Sequence, residues 1–179
     1  VCSSDLDVGV LIPLNRANQQ VYQEFTEYVR EHQQDFYRLS FSYVKNQEAA
    51  LDVVQEALVK ALRSLDFLRS PEFMKTWFYR ILVNESLTYL RKHKRETLSD
   101  LSFLENLPAI DRDIAQSLDL YAALDLLEPK LKTIVMLRFF QDMKFSEISE
   151  VTGTNINTVK SQLAAALKKL RASIEENSI

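Results

Sequence analysis

Apolar residues at Val21, Phe25, Tyr28, Val29, Phe36, Leu39, Tyr43 and Val44 recur at three- and four-residue steps. That spacing gathers them on one side of an α-helix. Leu51, Val54, Ala57, Leu58, Ala61, Leu62 and Leu65 repeat the pattern and predict a second helix. The segment SPEF at 70–73 interrupts the period, and Ser70 followed by Pro71 makes a favourable helix start, because the fixed φ of proline suits a first turn. From about Phe73 to Lys92 the chain is apolar around most of a helical circumference, which puts this third helix at the centre of its bundle. The prediction is a three-helix domain over 20–95, preceded by an N-terminal arm over 1–19.

Residues 96–114, ETLSDLSFLENLPAIDRDI, are acidic, contain Pro108 and hold no sustained period, so they read as a linker. Helical spacing resumes with Leu118, Ala122 and Leu126, and Pro129 stands near the start of a helix running to Phe140. Two further helices follow in KFSEISEVTGTNINTVKSQLAAALKKLRASI, giving a second, four-helix domain over 115–175. With two glycines and four prolines in 179 residues and no alternating β-branched runs, the fold class is all-α: two small helical domains joined by an acidic linker.

The glycine at 153 lies between two helical patterns and marks a turn that needs positive φ. Phe145, Ile148 and Val151 give the helix before it a buried side. Asn155 can cap the helix after it, whose apolar stripe is Ile156, Val159, Leu163, Leu167 and Leu170. Its other side carries Thr158, Ser161, Ala165 and Lys168, flanked by Asn157 and Gln162. This is the grammar of a helix-turn-helix, with hydrogen-bonding side chains where a recognition helix meets base edges and Lys168, Lys169 and Arg171 beyond them for phosphates. An ordinary αα-hairpin with a solvated face has the same pattern.

The formal net charge of −3 does not advertise a nucleic-acid binder, and its distribution instead marks a domain boundary. Residues 75–96 hold six basic groups against two acids, whereas 97–128 hold seven acids against Arg112. A single cysteine, Cys2, permits neither an intrachain disulfide nor a zinc cluster, and His32 and His93 are too far apart in sequence to form a helical metal pair. No glycine-rich phosphate loop and no Ser/His/Asp arrangement is visible, so neither an enzyme nor a cofactor is expected. No apolar run approaches membrane-spanning length. The first six residues, VCSSDL, read like translated adapter sequence and are set aside, and the VGVLIPL that follows lacks the basic flank and cleavage site of a signal peptide. A reducing, cytoplasmic setting is expected.

Two more faces carry candidate chemistry. Trp77, Arg80, Asn84, Thr88 and Arg91 follow one another at steps of three and four along one stripe of the third helix, and RKHKR at 91–95 extends its charge. An aromatic, an amide and arginines suit splayed single-stranded bases and their phosphates, although a tryptophan so placed is more often core and an arginine more often an ion-pair partner. In LDVVQEAL, Asp52, Gln55 and Glu56 share one side of the second helix, either as a docking face or as a solvated one.

Taken in order, DVVQEAL, FMKTWFYRILVNESLTYLRKHKR and LEPKLKTIVMLRFFQDMKFSEISEVTGTNINTVKSQL resemble a bacterial RNA polymerase sigma factor of the extracytoplasmic-function group. The resemblance covers roughly 20–95 and 115–172. It implies that Asp52, Gln55 and Glu56 dock on the core polymerase clamp. It implies −10 contacts from Ser70, Phe73, Lys75, Trp77, Arg80, Asn84, Arg91 and Lys92, with a base flipped out near the SPEF loop. It implies −35 contacts from Asn157, Thr158, Lys160, Ser161, Gln162, Lys168 and Lys169. The partners it implies are core RNA polymerase, promoter DNA and an anti-sigma factor, through which any membrane association would run. The acidic linker would thread a channel built for anionic RNA.

The chain departs from the family pattern in its recognition helix. Gln162 stands where arginine is common, and Ala164, Ala165 and Leu167 stand where basic or aromatic residues are common. Two other readings therefore accompany the sigma factor: a sigma-like decoy for an anti-sigma factor, favoured by the uncharged QLAAAL, and a stand-alone helix-turn-helix regulator, which leaves the first domain without a role.

Overall fold

The computed structural model describes residues 16–68, 70–96 and 123–176, with the side chains of 16–18, 94–96 and 174–176 left undescribed. The N-terminal arm up to residue 15, most of the expected linker, Leu118 and Ala122 lie outside the described residues. Every regular element among the described residues is helical.

Helix α1 spans Arg16–Val44, α2 Gln47–Arg63 and α3 Met74–Glu96. The turn between α1 and α2 is short because Lys45 adopts positive φ (56°) and closes α1 with an N–H bond to the Phe41 carbonyl at 3.0 Å. Asn46 then caps α2, its side-chain oxygen accepting from the Ala49 N–H at 2.9 Å. Between α2 and α3 lie two single 3₁₀ turns, Leu65–Phe67 and Pro71–Phe73, the second begun by the expected proline. Phe25, Phe36, Phe78 and Tyr79 are fully buried where the three helices meet, and α3 packs on both α1 and α2. Its predicted central position follows from that apolar circumference.

The second helical unit opens with a short turn at 123–125 that buries Leu124 and Leu127. Leu126, expected on the apolar side, is exposed instead. Helix α4 spans Pro129–Val135 with Pro129 in its first turn, as expected, but does not remain α-helical to Phe140. Residues Met136–Phe140 widen into a π-turn. The chain then reverses at Asp142, whose φ is 46°, and the Met143 N–H bonds back to the Leu137 carbonyl at 3.0 Å. A π-turn shifts the following backbone relative to an α-helical path, and here it brings Gln141 inward, where it is buried.

Helix α5, Phe145–Thr152, and helix α6, Ile156–Glu176, form the helix-turn-helix. Gly153 ends α5 in the left-handed conformation at φ 64°, ψ 24°. Asn155 caps α6 through its side-chain oxygen, which accepts from the Asn157 N–H at 2.9 Å. The buried stripe of α6 is Val159, Leu163, Ala166 and Leu170. It thus differs from the expected stripe at both Ile156 and Leu167: Ile156, in the first turn, is exposed, while Ala166 points inward and Leu167 is 42% exposed. A step of three after Leu163 lets a small residue face the neighbouring helix, and α4 packs directly on α6.

Candidate functional site: three exposed faces

On α2, Asp52, Gln55 and Glu56 are all exposed, as a docking face requires. The buried side of the same helix is carried by alanines and Val53. Two leucines assigned to that apolar side by spacing alone, Leu51 (52% exposed) and Leu62 (44% exposed), are instead at the surface. They add apolar area to the acidic and amide groups of this face. Lys60 borders it and is tied to Glu85 of α3 at 2.6 Å.

Around the start of α3, Phe73, Trp77 and Arg80 line one open cavity of about 390 Å³, together with Phe67, Leu68, Thr76 and Glu150. Phe67, which the sequence reading passed over, is 80% exposed and the most exposed large apolar side chain described. An aromatic in a 3₁₀ turn with no periodic partner is the signal that would have found it. Trp77 has both a core contact and an open side: its ring meets Phe25 edge-on at 6.0 Å and also borders the cavity.

The other residues expected at the −10 element disperse. Ser70 sits at the head of the second 3₁₀ turn, its carbonyl accepting the Phe73 N–H at 3.1 Å. Asn84 lines a second cavity of about 330 Å³. Arg91 and Lys92 are exposed, Arg91 donating to Thr88 Oγ1 at 3.0 Å. Lys75 is turned to the second helical unit, its Nζ donating to the Gln141 carbonyl at 2.6 Å.

On α6, Asn157, Thr158, Lys160, Ser161, Lys168 and Lys169 are exposed along the helix. The Ser161 hydroxyl donates to its own helix, at the Thr158 carbonyl, 2.9 Å away. Lys169 approaches Glu128 at 3.9 Å. Lys160 lies over the Phe145 ring at 5.7 Å and Arg138 over the same ring at 5.2 Å, so two cations share one aromatic. Gln162 is half-buried and lines the same 330 Å³ cavity as Asn84. Neither the structure's cavities nor its acidic groups suggest a metal site: among the described residues no cluster of His, Cys, Asp and Glu could hold one.

Burial pushes the hydroxyls of Tyr43 and Tyr79 well above the ordinary tyrosine range, with Tyr28 and Asp35 adding to the effect at Tyr79. Both therefore stay protonated and act as hydrogen-bond donors. Burial also lowers Lys45, and its bond to Asp125 opposes that shift.

Comparison with known proteins agrees with this geometry. Residues 28–96 match the family model of sigma-70 region 2, and residues 117–170 match that of sigma-70 region 4. The chain is 48% identical over 151 residues to the RNA polymerase sigma factor SigV of Bacillus subtilis, covering 84% of this chain and 91% of that protein. It is 28% identical to the ECF RNA polymerase sigma factor SigE of Mycolicibacterium smegmatis, over 98% of this chain and 71% of that one. Among solved structures, the sigma factor RpoE of Bartonella quintana, crystallised with the anti-sigma factor NepR, shares the fold. It superimposes with a TM-score of 0.75 at 23% identity, over 86% of this chain and 98% of that one. CnrH, solved with the cytosolic domain of CnrY, superimposes with a TM-score of 0.67 at 20% identity, over 87% and 95% of the two chains. Two helical units matching sigma-70 regions 2 and 4, together with a near-full-length relative at this identity, establish that the chain belongs to the extracytoplasmic-function group of RNA polymerase sigma factors.

Proposed function

We propose that the chain divides promoter recognition among its three exposed faces. Asp52, Gln55 and Glu56, beside Leu51 and Leu62, dock on core RNA polymerase. The loop before α3 and the start of that helix hold the opened −10 strand, with Asn84, Arg91 and Lys92 further along it. Asn157, Thr158, Ser161 and Gln162 meet base edges of the −35 duplex, with Lys160, Lys168 and Lys169 on phosphates. The chain itself catalyses nothing; it is a dissociable, cytoplasmic subunit that directs the polymerase's chemistry. Among the described residues no helix is long and apolar enough to cross a membrane. The sigma factor RpoE, which shares this fold, has been solved with an anti-sigma factor, the class of partner we also propose here.

One observation carries the reading: Phe67, Phe73, Trp77 and Arg80 converge on a single open cavity. Opening a duplex costs a few kcal/mol for each unstacked base. Stacking a base on an aromatic side chain returns about 1–3 kcal/mol, and an adjacent guanidinium can hold the strand's phosphate. Aromatics held at the surface around a basic group are otherwise costly to leave in water.

Phe73→Ala and Asn84→Ala test this in transcription with core polymerase. Both residues are exposed, so the fold is expected to survive. Each variant should lose activity on a duplex promoter, and a template already mismatched across the −10 element should recover part of the loss. Equal loss on both templates would contradict a role in opening.

A further inference from the structure

The cavity of about 330 Å³ that Asn84 and Gln162 share has apolar walls, Val83 and Leu87 of α3 and Val151 of α5. Both valines are buried. Lys130 of α4, Thr152 and Thr154 add polar groups, and no acidic side chain lines the space. Thr152 donates its proton to the Ile148 carbonyl at 2.7 Å, which leaves its oxygen able to accept. Asn84, Lys130 and Gln162 differ from it. Among the described residues, none of these three side chains has a hydrogen-bond or ion-pair partner. Asn84 and Lys130 are exposed and Gln162 is half-buried, so the cavity opens to solvent.

We propose that this cavity is a binding site for an adenine mononucleotide, with the base on Asn84 and Gln162 and the phosphate on Lys130. Small-molecule sites are concave and mostly apolar, with a few convergent polar groups, and measure about 300–1,000 Å³. This one lies at the small end of that range, which suits a single nucleotide and not a dinucleotide.

The two carboxamides select the base. Each offers a donor beside an acceptor. The exocyclic amine of adenine has two protons and is flanked by the acceptors N1 and N7. Adenine therefore presents a donor–acceptor pair on each of two edges and can engage both amides. Guanine presents only acceptors at O6 and N7, so one amide is left mismatched. Cytosine has a single such pair, at N4 and N3. The apolar walls take the faces of the base out of water. The Lys130 ammonium meets the phosphate with no carboxylate in the lining to compete for it. The Thr152 oxygen accepts from a sugar hydroxyl. One consequence rests on the reading of Asn84 and Gln162 as −10 and −35 contacts: an occupied site withdraws both amides from DNA, so the nucleotide opposes promoter binding.

Calorimetric titration of the full chain with adenosine monophosphate should show one saturable site. Guanosine and cytidine monophosphates should bind at least about tenfold more weakly, for want of the second amide pair. Lys130→Ala changes an exposed residue, so the fold is expected to survive. It should weaken adenosine monophosphate about fivefold and leave adenosine unchanged, in keeping with a partly solvated ion pair. No saturation at millimolar nucleotide, equal binding of the three monophosphates, or an unchanged titration in Lys130→Ala overturns the site. A single-stranded deoxyadenosine oligonucleotide separates a free nucleotide from one within a DNA strand. Binding of the strand without binding of the monophosphate would assign the amides to DNA alone and overturn the site. Promoter binding by holoenzyme, without nucleotide substrates, tests the consequence. Adenosine monophosphate should reduce it, and with Lys130→Ala about fivefold more should be needed. Saturable, base-selective binding with no loss of promoter binding would uphold the site and contradict the assignment of Asn84 and Gln162 to DNA.

Discussion

The two helical units solve the same packing problem with different side chains. The first fills its core with rings: Phe36 lies 4.6 Å from Phe78 and 5.5 Å from Tyr79 by ring centroids, and Phe25 lies 5.6 Å from Phe78. The second buries Leu124, Ile134, Met136, Leu137, Met143 and Ile148, with no fully buried ring among the described residues. Their surfaces differ in the same sense. The first exposes Phe67 and Phe73 beside arginine, whereas α6 exposes polar side chains, alanines and lysines, with aliphatic Ile156 and Leu167 but no ring among them. Unpaired bases present π-faces, which aromatics match. Paired bases present edges, which amides and hydroxyls match. The contrast thus tracks the state of the DNA that each unit is proposed to hold.

The contrast breaks most readily in the cores. A ring cluster has few, large members, so removing one leaves a large cavity. Phe36→Ala should cost about 3–5 kcal/mol and Ile148→Ala about 2–5 kcal/mol, with Phe36→Ala the larger. Denaturant midpoints would measure both. Equal shifts would mean that the ring cluster is no more tightly interlocked than its aliphatic counterpart.

Gln162→Arg sharpens the contrast at the surface. Glutamine pairs with adenine and arginine with guanine, each good bidentate pair discriminating by about 1–3 kcal/mol. In holoenzyme, on promoters varied one base at a time in the −35 element, the variant should bind more tightly and shift its preference toward guanine. Tighter binding with an unchanged base profile would place position 162 against the phosphate backbone.

Much of this architecture was legible in the sequence, for identifiable reasons. The helices announced themselves through spacing, and their breaks through Pro71, Pro129, Gly153 and Asn155, residues whose backbone or side-chain chemistry acts locally. Trp77 and Arg80 could be placed on one side because a helix fixes their relative directions, whereas Phe73 joins them from the 3₁₀ turn before that helix. The spacing argument failed where alternatives lie one residue apart. Ala166 and Leu167 both continue a stripe from Leu163, and only the close approach of α4 selects the smaller. Leu51 and Leu62 fit a helical period yet point to solvent, because periodicity cannot tell a core contact from an apolar docking surface. The contacts between the two units were beyond reach altogether: the Tyr43 hydroxyl bonds to Thr133 Oγ1 from 90 residues away, and the π-turn that delivers Gln141 has no periodic signature.

Gly153 offers a smaller effect with a clean cause. A Cβ added there meets nothing within 4 Å, so substitution costs backbone strain alone. Gly153→Val should lose about 1–2 kcal/mol, and Gly153→Asn less, since asparagine tolerates the left-handed region. Thermal unfolding would test the pair. Similar losses for both would point to a contact formed on substitution and not to φ.

The smallest effect concerns an aromatic of the second unit that restrains a cation. Phe145 is half-buried, and Arg138 and Lys160 both lie over its ring. Arg138 is also fixed by donating from Nη1 to the Met143 carbonyl at 2.8 Å, whereas Lys160 is exposed. The ring is thus the main restraint shown for Lys160, and an exposed cation–π contact is worth about 0.5–1 kcal/mol. Phe145→Leu keeps the apolar body and removes the quadrupole. Holoenzyme affinity for a −35-bearing duplex should fall about two- to fivefold, the equivalent of that contact. The dependence of affinity on salt should stay the same, because its slope counts the phosphates neutralised and both cations remain. Lys160→Ala should instead make the slope shallower by about one contact. A changed slope in Phe145→Leu would mean that Lys160 leaves its phosphate without the ring, which would make Phe145 a necessary support of the contact and not only a restraint on it.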